Sequence, residues 1–203
     1  MPRPKKTPAQ LEATREKILD TAYAILQDEG PEAISSRAIA ERLGVAHMAL
    51  FTYFENQAAI LRALTEREAA KWRTQQQLIA QRADAEKIPV VVEAVLRFFI
   101  TFARENPNAY RLAWVMPEKG GESLEQNCQR MRSTMEQLAI MLKRGMERGA
   151  FELRDPFLAA GTVLGMVNMP HILLHAGKMV DPALRDRMVE EVLYAAMLYL
   201  KKK

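Results

Sequence analysis

The run "SSRAIAERLGVAHMALFTYF", Ser35 to Phe54, decides how the chain is read. Its first half carries Ile39, Ala40 and Leu43 on one helical face. Gly44 then supplies a tight turn, because glycine takes the left-handed backbone conformation cheaply. The second half has no charge and holds three aromatics and a methionine, too many large side chains for an ordinary surface helix. Leu50 and Phe54, four apart, face inward together with Val45, and His47, Met48, Phe51, Thr52 and Tyr53 share the outer face. Helix, tight turn, helix is the spacing of a helix-turn-helix, in which the second helix lies in the DNA major groove. Phe54 then belongs to the core, and Phe51 and Tyr53 lie against the sugar-phosphate backbone.

Working outward, the punctuation is helical throughout. Thr7-Pro8, Asn106-Pro107, Asp155-Pro156 and Asp181-Pro182 each set a capping side chain before a proline at the first helical position. Thr7 to Gln10 and Ser123 to Gln126 have capping-box spacing. The first helix runs from Pro8 to Glu29 and stops at Gly30-Pro31; the second follows Ser35 to Leu43; the stretch after Gly44 is the third. Others run from Asn56 past Trp72 to Gln81, Pro89–Glu105, Pro107–Met116, Leu124–Arg148, Pro156–Ala176 and Pro182–Leu200. No segment alternates with a two-residue period, so an all-α fold without sheet is expected. Residues 1–55 read as an arm and a three-helix DNA-binding head, and residues 56–203 as a long-helix bundle.

Composition limits the function. The chain has 203 residues, a formal charge of +4 and a pI near 9.2, which permits a nucleic-acid partner without requiring one. A single cysteine, Cys128, excludes an internal disulfide framework and suits a reducing cytoplasm. The apolar run Phe157 to Val180 is interrupted by Asn168, Pro170, His171, His175 and Lys178, which argues against a membrane span. No nucleophile arrangement, phosphate-binding glycine loop or paired acid motif points to an enzyme, and no cofactor is implied.

The residues "REKILDTAYAILQDEGPEAISSRAIAERLGVAHMALFTYFENQAAIL", Arg15 to Leu61, resemble the TetR family of bacterial transcriptional regulators. "ARENPNAYRLAWV" is similar to the start of the family's sixth helix, a weaker match. The resemblance implies a homodimeric, all-helical repressor whose C-terminal domain binds a small molecule and resets the spacing of two heads on a pseudo-palindromic double-stranded DNA operator. Carried onto this chain, it makes Arg37 a base or phosphate contact, with Ser35 and Ser36 near the backbone. It places His47, Met48 and Ala49 at base edges, and Phe51, Thr52 and Tyr53 near phosphates.

Three positions depart from the family pattern. Ala46 stands where a capping Ser or Thr is usual, a loss of about 0.5–2 kcal/mol. Phe51 replaces a frequent Tyr and has no hydroxyl for phosphate, and Gln57 replaces a basic residue. Together they predict fewer ionic contacts and a shallower salt dependence. Charge is also uneven. Arg3, Lys5, Lys6, Arg15 and Lys17 against Glu12 and Glu16 give residues 1–17 a net +3. Arg37 and Arg42 against Asp20, Asp28, Glu29, Glu32, Glu41 and Glu55 give residues 18–55 a net −4. The arm either follows the DNA backbone or minor groove, or is a solubilising tail.

In the bundle, Trp72, Phe98, Phe102, Trp114, Met131, Met135, Met166 and Met169 read singly as core. As a set in a family with a cavity there, they imply an apolar or aromatic effector. His171 and His175 share a helical face, but "HILLH" lacks the glutamate of zinc hydrolases and has no completing cluster, so no metal site is expected. A satisfied core histidine, a ligand contact and an interface contact remain open for His171. Gly161 and Gly165 permit close helix approach, and Pro170 should kink its helix. The resemblance pairs the last two helices with a dimer mate, through Leu184, Met188, Val192, Ala195 and Tyr199. Cys128 reads as a buried thiol.

The function these features converge on is a cytoplasmic, ligand-released repressor. The effector favours a bundle state whose heads no longer match half-sites about 34–36 Å apart. Two alternatives stand beside it: a ligand-binding or enzymatic bundle that has lost DNA binding, and a helical adaptor for another protein.

Overall fold

The computed structural model describes residues 7–82, 87–116 and 123–202. Helix α1 spans Pro8–Glu29, α2 Ser36–Leu43, α3 Gln57–Gln81, α4 Ile88–Glu105, α5 Pro107–Tyr110, α6 Leu124–Glu147, α7 Pro156–His175 and α8 Pro182–Leu200. Short 3-10 turns cover Pro31–Ala33 and His47–Thr52, and α5 continues as a π-helical turn over Arg111–Val115. Among the described residues there is no strand. One isolated antiparallel bridge, Phe151 to Lys201, ties the α6–α7 connection to the end of α8.

The helix starts follow from their caps. Thr7 and Ser123 form complete capping boxes with Gln10 and Gln126, satisfying amides that would otherwise lack partners. Ser35, Asn56, Asp155 and Asp181 accept from the amides of Ala38, Ala59, Leu158 and Ala183. Two starts lack a side-chain cap bond: Lys87 before α4 and Asn106 before α5, where Pro107 sets the first turn. Gly44 ends α2 at φ 66°, ψ 33°, the left-handed conformation that the sequence required of it.

Two buried clusters organise the molecule. One holds Ile18, Ala22, Ile25 and Leu26 of α1, Ile39 and Ala40 of α2, then Leu50 and Phe54. It also takes Ile60, Leu61 and Leu64 from α3, and Ala109 and Leu112 from α5 and the π turn. The other, larger cluster joins α4, α6, α7 and α8 through residues such as Val95, Leu96, Leu142, Val163, Leu193 and Leu200. Helix α7 is long and apolar enough to cross a membrane, with a mean hydropathy of 1.6. In the fold it is the central helix of the bundle, packed between α6 and α8, and it runs unbroken through the buried Pro170. Cys128 is exposed rather than buried, because the first half of α6 lies ahead of its first core residue, Leu138.

Gly145 of α6 is where α6 and its following turn meet most closely: a Cβ there would lie 2.3 Å from Phe151 Cδ2. At Gly165 of α7 a Cβ would meet nothing within 4 Å. Gly145→Ala should therefore cost about 1–3 kcal/mol of stability by overpacking. Gly165→Ala should leave monomer stability unchanged or slightly raised, as thermal unfolding of the two variants will show.

Candidate nucleic-acid interface and effector cavity

The stretch after Gly44 is a 3-10 turn rather than an α-helix. Ala46 offers no side-chain cap, and six residues without one close up with i to i+3 bonds: Ala49 N–H to Ala46 O at 2.8 Å and Tyr53 N–H to Leu50 O at 2.9 Å. Leu50 and Phe54, 1 % and 4 % exposed, anchor the turn in the core. Val45 does not join them; at 44 % exposed it lies outside, because Gly44 turns the chain before the core is reached. Arg15 of α1 holds the far end, donating to the Tyr53 carbonyl while its guanidinium sits 4.2 Å over the Phe54 ring.

What the turn presents is now definite. Met48 is 69 % exposed, Arg37 and Thr52 are exposed, and Ala49, Phe51 and Tyr53 are half-buried. Ser35 is occupied as the cap of α2. Ser36 is buried, and its Oγ lies 2.8 Å from His47 Nε2. The Ser36 amide and hydroxyl reach Gln57 Oε1 at 3.2 and 3.4 Å, while Gln57 Nε2 donates to the Ile34 carbonyl at 3.4 Å. His47 also packs edge-on against Phe51, with ring centroids 5.2 Å apart. Gln57, read from the sequence only as a missing charge, thus clamps the start of α2 to the start of α3. His47 is spoken for on one ring nitrogen, so its other edge is what remains to face outward.

Much of the acidic charge of the head is paired in place. Arg67 of α3 pairs with Glu16 and Asp20 at 2.9 and 2.8 Å, Arg42 with Asp28 and Glu29 at 3.2 and 2.9 Å, and Arg111 with Glu32. Four of the six acidic residues counted against DNA are therefore tied to arginines. The arm residues Arg3, Lys5 and Lys6 lie outside the described residues.

Between the two buried clusters lies a cavity of about 570 Å³. Its apolar wall is Leu26, Leu64, Trp72, Phe102, Leu112 and Trp114. Thr65, Gln76, Arg130 and Thr134 are among its polar lining. Of the residues singled out from sequence, Trp72, Phe102 and Trp114 line it, and Phe98 stacks behind Trp72 at 5.6 Å. Met131, Met135, Met166, Met169 and His171 are not part of the lining. Met169 is exposed, and Met135 fills the space beside Gly161. Thr65, Ala69, Trp72 and Gln76 share one stripe of α3, spacing visible in the sequence but hidden by the polar residues within it.

Aromatic rings run on from the cavity into the bundle: Trp72 to Phe99, Phe99 to Trp114, and Trp114 to Tyr110. Tyr110 then contacts both His171 and His175. Its hydroxyl donates to Asn168 Oδ1 at 3.1 Å, and burial pushes it up from the ordinary tyrosine range. His171 is 1 % exposed and neither ring nitrogen has a partner. Burial, with help from the charge of Arg185, lowers it to about 4. Among the described residues no group of three or more His, Cys, Asp or Glu is arranged to hold a metal ion.

Two outcomes follow from this geometry. Gln57→Lys should steepen the slope of log K against log salt by about 0.9 for each added phosphate contact. The same change should lower unfolding stability by about 1 kcal/mol as the Ser36 clamp is lost, which salt titrations and denaturant melts will separate. For His171 the unfolded chain takes up a proton below about pH 6.5 that the folded chain refuses until about pH 4. Wild-type stability should thus fall by up to about 3 kcal/mol between those limits, and His171→Met should flatten that part of the pH–stability curve.

The head and bundle each match known proteins. The model for bacterial regulatory proteins of the tetR family matches residues 18–64, and that for the tetracyclin repressor-like C-terminal domain matches residues 85–192. The chain is 46 % identical to tetracycline repressor protein class C of Escherichia coli over 52 residues, 26 % of this chain and 24 % of that protein's length. It is 28 % identical over 170 residues to the nucleoid occlusion factor SlmA of Vibrio vulnificus, covering 76 % and 82 % of the two chains. A putative transcriptional regulator from Saccharomonospora viridis, solved in complex with choline, shares the fold with a TM-score of 0.76 at 15 % identity, over 95 % of this chain and 100 % of that one. With its helix-turn-helix head and a C-terminal model covering over half its length, the chain belongs to the TetR family of bacterial transcriptional regulators.

Proposed function

We propose that this DNA-binding regulator is a cytoplasmic, homodimeric repressor whose head, residues 1–55, is released from a pseudo-palindromic operator when a small molecule occupies the 56–203 domain. The observation that carries the reading is the position of the cavity. Leu26 and Leu64 belong both to its wall and to the buried core of the head. An occupant therefore presses directly on the elements that aim the 3-10 turn, and needs no relay through the rest of the bundle. Arg37, Met48, Thr52 and Tyr53 are the contacts to DNA, joined by Ala49, Phe51 and the free edge of His47.

The dimer reading is supported by apolar surface on the last two helices. Leu158, Gly165 and Met169 of α7, and Leu184, Tyr194, Ala195 and Leu198 of α8, are all exposed in one chain. Each set repeats at helical spacing, the pattern of a face awaiting a partner helix pair. Gly161 instead faces Met135 within the chain, and Tyr199 stacks under Arg154 at 4.2 Å; Met188 and Val192 are half-buried at the edge of the face.

A second reading is favoured by the longer sequence match: a DNA-bound factor with a nucleoid-occlusion role and no effector. DNA selection with the purified protein at moderate salt, repeated with an Arg37→Ala, Tyr53→Ala variant and with Tyr194→Glu, tests both. The expected result is a pseudo-palindrome, lost in the head variant and reduced to half-site binding in the monomeric one. Operator binding that no small molecule weakens would favour the second reading, and no enrichment at any salt would sink both.

A further inference from the structure

The contacts around Ser36 fix the direction of each hydrogen bond that leads to His47. Backbone groups decide the first two. The Ser36 amide can only donate, so the Gln57 atom 3.2 Å from it is the carbonyl oxygen, Oε1. The Ile34 carbonyl can only accept, so the Gln57 atom 3.4 Å from it is the amide nitrogen, Nε2. Gln57 is thereby held in one orientation, with Oε1 towards Ser36.

The Ser36 hydroxyl has one proton and two neighbours, Gln57 Oε1 at 3.4 Å and His47 Nε2 at 2.8 Å. Oε1 can only accept, whereas a ring nitrogen accepts or donates according to its tautomer. If the hydroxyl donated to His47, its oxygen would face Oε1 with no proton between them, and the buried Ser36 would lack a donor for its own oxygen. Donation to Oε1 instead leaves the hydroxyl oxygen to accept from His47 Nε2–H. Every polar atom from the Ile34 carbonyl to Nε2 is then used, and the bonds reinforce one another. A neutral imidazole carries a single ring proton, so Nδ1 is bare and accepts. Among the described residues Nδ1 has no hydrogen-bond partner, yet it is not enclosed. Met48, next in the chain, is 69 % exposed.

Resting on the DNA-reading assignment above, we infer that His47 is a specificity-determining residue of the head and that it reads bases as a hydrogen-bond acceptor. In the major groove adenine and cytosine each present an exocyclic amine, N6 or N4, whereas guanine and thymine present only acceptors there. Nδ1 therefore selects adenine or cytosine on the strand it faces. Ser36 and Gln57 are positioning residues for this contact: they set the tautomer of His47 from behind, without touching DNA.

Nuclear magnetic resonance of the full chain labelled with nitrogen-15 tests the tautomer, because long-range correlations separate protonated from bare ring nitrogens. The chain has three histidines, and the His47 signal is the one missing from His47→Gln. At a pH well above the ordinary imidazole range, the wild type should carry its proton on Nε2. Gln57→Glu keeps an acceptor and should keep that tautomer. Gln57→Met keeps the volume but removes the acceptor, so the Ser36 hydroxyl turns to Nε2 and the proton moves to Nδ1. In DNA selection the wild type should prefer adenine or cytosine about tenfold at one position of each half-site, the size of one hydrogen bond against an unpaired group. Gln57→Met should move that preference to guanine or thymine, and His47→Ala should abolish it. Both variants should still select the rest of the operator, which shows that they are folded. A wild-type His47 protonated on Nδ1 would overturn the relay. The Nε2 tautomer with no operator position that responds to His47→Ala would overturn the base assignment and leave the regulator reading standing. A wild type that selects no operator sinks that reading, and the base assignment with it.

Discussion

The buried core of the head and the cavity beside it share one wall. Leu26 of α1 and Leu64 of α3 are buried in the head, and their other sides line the cavity. Ala109 and Leu112, from the short α5 and its π-helical continuation, complete both the head core and the wall. Polar contacts reinforce the same seam: Asn108 donates to the Gln27 carbonyl at 3.1 Å, and Arg111 pairs with Glu32. Because packed interiors have low compressibility, a change of shape on one side of such a wall is felt on the other. Head and bundle are thus one mechanical body, despite having separate hydrophobic clusters.

The head solves a different problem. A 3-10 turn without a cap has little intrinsic stability, so it is held from three directions. Leu50 and Phe54 anchor it by burial, Arg15 takes its last carbonyl, and the Gln57–Ser36–His47 network fixes its start. Residues that the family pattern would assign to DNA are partly spent on this scaffolding. Ser36 and one nitrogen of His47 hold the turn in place, which leaves Arg37, Met48 and Thr52 as the most exposed of these residues. Acidic residues crowd the head in sequence, yet arginines from α2, α3 and the π turn hold most of them.

Helix boundaries, caps and the helix-turn-helix were legible in the sequence because each is local. A proline after Asp155, a glycine at position 44, or a Ser-x-x-Gln box acts within one turn and states its geometry directly. The all-α class followed from the same punctuation. The cavity was legible only in part. Trp72, Phe102 and Trp114 stood out by size, but Thr65 and Gln76 are ordinary helix residues until burial strips them of water. The methionines misled for the opposite reason: their flexibility suits a pocket or a core equally, and Met135 serves to fill space beside Gly161.

The sequence by itself determined where most of the helices begin and end, that the head is a helix-turn-helix, and which residues face inward at Ile39, Leu50 and Phe54. Those properties arise from backbone sterics and short-range hydrogen bonds that need no distant partner. Only the tertiary structure decided that Val45 stays outside, that Gln57 is a clamp rather than a missing charge, and that Thr65, Trp72 and Gln76 face a common space. Each of these depends on which segment, remote in sequence, comes to lie opposite, and that is settled by packing the long helices against one another rather than by any local rule.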